Sequence, residues 1–78
     1  MKLKKGDILY CEFPTLPNNP SIICKFIRDI SDTYIRKTIY KIKIIKELGK
    51  TNYGLQIIYP YDIVKKIETD EELYAILL

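Results

Sequence analysis

The side chains best placed to do chemistry are two cysteines, Cys11 and Cys24, the acids Glu68, Asp70, Glu71 and Glu72, the tripeptide Gly49-Lys50-Thr51, and the lysines from Lys37 to Lys50. A thiol becomes a nucleophile or a metal ligand when a base or a cation favours the thiolate. The sequence holds no histidine, so no Cys/His or Ser/His pair exists, and general acid–base catalysis near pH 7 lacks its usual group. Two cysteines without CxxC spacing also leave a zinc site short of ligands. They are therefore read as small buried thiols, nearly opposite one another across a hairpin. The acids could in principle hold a divalent ion, but their spacing suits the solvated first turn of a helix, which the dipole stabilises. Gly49-Lys50-Thr51 has the ending of a phosphate-binding loop, yet Ile44 stands where that motif needs its first glycine. It reads as a turn. No catalytic residue, cofactor or structural metal is expected.

The lysines form the constellation with most promise. Lys37, Lys41 and Lys43 share one strand parity, Arg36, Lys46 and Lys50 lie near, and Tyr40, Tyr53, Tyr59 and Tyr61 are within reach. Ammonium groups neutralise phosphates and aromatic rings stack on bases, so such a face suits nucleic acid. It equally suits an acidic protein, and lysines on an exposed strand also guard against edge-to-edge aggregation. A second candidate contact is the loop in which Pro14, Pro17 and Pro20 recur every third residue, the spacing of one edge of a polyproline helix. The prolines read chiefly as loop stiffeners, with Leu16 and Pro17 exposed at the tip.

The scaffold is small. Its 78 residues are 47% hydrophobic and 29% charged, and they suffice for one globular domain spanning residues 1–78. Residues 1–50 hold eleven basic and five acidic groups, a balance of +6, and residues 51–78 hold two and five, or −3, so charge should be segregated within a net +3. No apolar run approaches the ~18 residues of a membrane span, and Gly6, Asp7 and Glu12 interrupt any leader-like stretch. A cytoplasmic protein with reduced thiols and no membrane partner is expected. A core of this size supplies about 3–5 kcal/mol net, which leaves homo-oligomerisation open.

Fifteen isoleucines and seven tyrosines favour strands. Ile8 to Phe13 alternates as a first strand, the prolines of residues 14–20 make a loop, and Ser21 to about Ile30 is a second strand with Ile22, Cys24 and Phe26 on one face. Two rhythms compete over residues 33–48. Ile35, Ile39, Ile42, Ile45 and Leu48 repeat at helical spacing, whereas Thr38, Tyr40, Ile42 and Ile44 alternate with Ile39, Lys41 and Lys43. The strand is preferred because crowded β-branched side chains disfavour a helix. Gly49 to Gly54 turns the chain, residues 55–59 form a fourth strand, Tyr59-Pro60-Tyr61-Asp62 breaks it, and residues 63–67 form a fifth. Thr69 and Glu72 have capping-box spacing, and Leu73, Ile76 and Leu77 make a stripe, so residues 69–78 read as a helix.

The Lys5-Gly6-Asp7-Ile8 opening, the proline loop, two long strands and the Tyr-Pro-Tyr-Asp break before a short last strand together resemble an SH3-like small barrel. That resemblance implies a mainly β fold of about five antiparallel strands with a short C-terminal helix. The first 28 residues are also similar to the start of MazF/PemK-type toxin ribonucleases, with Gly6-Asp7-Ile8 and Pro20-Ser21-Ile22-Ile23 in the corresponding places. Those toxins carry an arginine just before the loop-end proline, where this chain has Asn19, so their catalysis is not carried over. The expectation is a non-catalytic interaction module, a small regulatory or inhibitor protein of the kind phages and plasmids encode, that binds a host protein. The alternatives are a DNA- or RNA-binding barrel using the Lys/Tyr face, and a metal-independent ribonuclease built on Arg28 or Arg36.

Overall fold

Alternation sets the first hairpin. Leu9 and Cys11 are fully buried while Ile8 and Tyr10 are only partly so, giving strand β1 (Ile8–Glu12) one inner and one outer face. The computed structural model describes residues 2–31, 34, 36–49 and 54–77. In it β1 pairs antiparallel with β2 (Ser21–Asp29), which pairs with β3 (Tyr40–Leu48), which pairs with the two-residue β4 (Ile57–Ile58). A 3-10 turn at Pro60–Asp62 then returns the chain to β5 (Ile63–Ile67) on the other side of β1. The order β4-β3-β2-β1-β5 makes one curled, half-barrel sheet. Between β1 and β2, Asn18 and Asn19 take positive φ, a conformation that asparagine tolerates better than most residues.

The concave face holds the core: Leu9, Cys11, Phe13, Ile22, Cys24, Phe26, Ile42 and Ile58, with Tyr40, Ile44, Leu55 and Ile63 packed against it. Three register shifts let the sheet curl, between Tyr10 and Cys11 against β5, and between Ile23 and Cys24 and Phe26 and Arg28 against β3. Each leaves one apolar residue without a partner, respectively Val64, Ile45 and Ile27. A bulge bends and twists its strand, and its extra side chain leaves the inside-outside alternation. That is why Ile45 and Val64 are more than half exposed.

Helix α1 (Asp70–Leu77) closes the described chain and packs on β5. Its cap follows from Thr69, whose Oγ1 accepts the Glu72 N–H at 3.1 Å, while Glu72 Oε2 accepts the Glu68 N–H at 3.0 Å. Lys65 Nζ lies 3.6 Å from Glu72 Oε1 and ties the helix to the strand.

The expected mainly β fold of five antiparallel strands and a C-terminal helix is the one found. Two bounds are corrected. The strand expected over residues 33–48 begins only at Tyr40, since Ser31 Oγ accepts the Ile39 N–H and Asp29 Oδ1 accepts the Ser31 N–H at 2.7 Å, a side-chain network that turns the chain first. The fourth strand is two residues long and not five.

Candidate functional site

Pairing across β2 and β3 decides which side chains share the outer face, because directly opposed residues of an antiparallel pair point the same way. Lys25 opposes Lys43, Arg28 opposes Lys41, and Lys46 opposes Ile23. All five cationic side chains are exposed. Simple alternation would send Arg28 inward with Phe26 and Cys24, and Lys46 inward with Ile44 and Ile42. The bulges at Ile27 and Ile45 flip both outward. Among the described residues no carboxylate pairs with any of the five; the ion pairs found there link Lys65 with Glu72, and Lys66 with Asp7 and Glu68, beyond β1 on the β5 side. Like charges directly opposed in a sheet cost roughly 0.2–1 kcal/mol per pair, and this face carries two such pairs.

A second feature adjoins it. Tyr59 precedes the 3-10 turn and Tyr61 lies within it, with rings stacked at 5.3 Å and 8°, and Lys37 Nζ lies 5.7 Å over the Tyr59 ring. Tyr61 is 80% exposed. The two rings line a groove of about 290 Å³ together with Phe13, Leu16, Ile57 and Asp62. A second cavity of about 370 Å³ is lined by Ile27, Lys41, Lys43 and Leu55, and Leu55 belongs to both. Asp62 Oδ2 accepts the Tyr59 N–H at 2.9 Å and fixes the turn. Burial raises the Asp62 carboxyl above its ordinary value, partly offset by that hydrogen bond. Desolvation and the Asp62 charge push the Tyr61 hydroxyl up as well.

Of the residues expected to form one basic and aromatic face, Lys41, Lys43 and Lys46 are brought together on the outer sheet, and Lys37, Tyr59 and Tyr61 at the turn. Tyr40 belongs to neither. It shares the parity of Ile42, and its ring meets Phe26 edge-on at 5.3 Å in the core. Lys50 and Tyr53 lie outside the described residues. Leu16 lines the groove but is also packed on the core, which corrects its reading as an exposed tip, whereas Pro17 is exposed. Lys25 was missed as a site residue, and Arg28 was considered only for the ribonuclease alternative. Lys25 was legible as an outward residue of β2, but no local signal marked the bulge that turns Arg28 out.

Cys11 and Cys24 are both buried, with sulfur atoms 3.9 Å apart. Hydrogen bonding to Cys24, then burial, pushes the Cys11 thiol far up, which suppresses the thiolate. Arg28 stands in the sheet and Arg36 before β3, on different elements. Among the described residues no cluster of metal-ligating side chains occurs, and no helix is long and apolar enough to cross a membrane. Compared with known proteins, the chain matches no family model, no curated protein and no solved structure.

Proposed function

We propose that this chain is a non-catalytic module that binds nucleic acid through the outer face of β2 and β3. The observation that carries the reading is the pairing of Lys25 with Lys43 and of Arg28 with Lys41, none of them in an ion pair with a carboxylate among the described residues. A fold stabilised by only a few kcal/mol sets like charges in direct opposition at a cost, and a polyanion laid across them removes that cost. Lysine predominates in the cluster. Lysine is depleted in protein interfaces, whereas phosphate backbones are met by lysine and arginine alike. The acids of α1 lie on the far side of β1, so an approaching polyanion is steered toward the β2–β3 half.

The test is equilibrium binding of mixed-sequence nucleic acid at low salt to the wild type, to the Lys41→Glu, Lys43→Glu double variant, and to Lys2→Glu as a control away from the sheet. The double variant should lose most of the affinity and the control little. Equal loss in both would make the attraction a matter of net charge and remove the face from consideration.

A second reading, an acidic host protein as partner and the chain as its inhibitor or regulator, is favoured by the apolar groove beside Leu16 and Tyr61 and by exposed Ile45 and Ile57. Affinity capture from the native host read by mass spectrometry separates it from the first, since it yields one stoichiometric protein that survives nuclease treatment.

A further inference from the structure

Building on that reading, we infer that the nucleic acid is bound single-stranded, with its backbone along Lys43 and Lys41 and one unpaired base stacked on Tyr61. The two surfaces are continuous. Lys41 opposes Ile57 across β3 and β4, Ile57 lines the groove with Tyr59 and Tyr61, and Leu55 is shared by the lysine-lined cavity and the aromatic one. A chain whose phosphates follow the lysines reaches the rings over Leu55 and Ile57.

The rings are prepared for such a contact. Tyr59 and Tyr61 are nearly parallel at 5.3 Å, with the Lys37 ammonium over Tyr59 and Tyr61 outermost at 80% exposure. Stacking on Tyr59 and the hydrogen bond from the Tyr59 N–H to Asp62 hold the turn, so the Tyr61 ring presents its face at little further ordering cost. Stacking on an aromatic side chain needs an unpaired base, because in a duplex both faces of each base are already occupied. The carboxylate that lines the groove is Asp62, which repels phosphate and so leaves the groove to the base while the backbone stays with the lysines.

The experiment measures binding of a fluorescent ten-nucleotide RNA, and of the same sequence closed into a duplex, at about 50 mM salt and upward. The proteins are the wild type, Tyr61→Ala, Tyr61→Phe and Lys43→Glu. Tyr61 is exposed, so its truncation should leave the fold intact, which the circular dichroism spectrum checks. The single strand is expected to bind about tenfold tighter than the duplex, and Tyr61→Ala to lose about tenfold with an unchanged salt slope, as removal of one base stack does. Tyr61→Phe should restore affinity, and Lys43→Glu should lower both affinity and slope. Equal binding of strand and duplex, or no effect of Tyr61→Ala, overturns the stacking inference while the cationic face stands. Failure of both nucleic acids to bind at low salt removes the face and the stack together. Displacement of the RNA by polyglutamate of equal charge assigns the site to an acidic protein and overturns the inference as well.

Discussion

Cys11 and Cys24 carry the functional groups most often associated with reactivity, and their surroundings disarm them. Both are buried with their sulfur atoms 3.9 Å apart, and the hydrogen bond to Cys24 together with burial favours the thiol of Cys11 over its thiolate. Native protein should therefore be alkylated at pH 8 far more slowly than protein in denaturant, at a rate set by opening of the fold. Rapid labelling of the folded state would contradict this account of the core. Asp7 is the opposite case. The Lys4 N–H donates to its Oδ2 at 2.7 Å and Lys66 Nζ lies 3.4 Å away, so its carboxyl sits below the ordinary 3.8. With a lowered native value, the stability that Asp7 contributes is complete above 3.8 and disappears as pH falls through the native value. Asp7→Asn should thus lower the melting temperature at pH 7, and the gap from wild type should close in strong acid. A gap independent of pH would show that ionisation is not what Asp7 contributes.

At the scale of elements, the bulges matter most. The hydrophobic alternation of β1 and β2 was legible, as were the turn at Pro60, the cap at Thr69 and the competition between strand and helix before Leu48. The register was not. Whether Arg28 points in or out depends on one unpaired residue, Ile27, and a bulge leaves no signature in composition because it answers the curvature of the whole sheet. The same holds for Lys46 beside Ile45. Tyr40 was grouped with the lysines by proximity in sequence, although its parity with Ile42 already placed it on the other face. The opposed lysines give an unusual expectation: Lys43→Glu places opposite charges across β2 and β3, so it should raise stability by about 0.5 kcal/mol while weakening nucleic-acid binding. Urea denaturation of wild type and variant measures the first effect. A loss of stability would mean that Lys25 and Lys43 do not repel in the native sheet. At the helix, Thr69→Ala should cost about 1 kcal/mol by releasing the Glu72 N–H, read as a fall of several degrees in melting temperature.

The whole molecule combines a thin core with segregated charge. One sheet bends around a small apolar core, with Ile23 also buried opposite Lys46, so removing volume from its centre leaves little in reserve. Leu9, fully buried in the middle of β1, should cost about 2–5 kcal/mol as Leu9→Ala, comparable to the whole stability of a domain this size, and the variant should be largely unfolded at 37 °C. Charge is segregated across the sheet, with α1 and its Asp70, Glu71 and Glu72 packed by β5 at one edge and the cationic side chains on β2 and β3. This separation was readable as a charge balance, but its alignment with one sheet face depends on the strand order. The most direct test of the cationic face is the slope of log affinity for nucleic acid against log salt. If Lys25, Arg28, Lys41, Lys43 and Lys46 all meet phosphates, the slope is roughly −3.5 on a single strand, and each charge-removing substitution among them should reduce its size by about 0.7. A slope near zero, or one unmoved by Lys25→Gln and Lys41→Gln, would contradict the account.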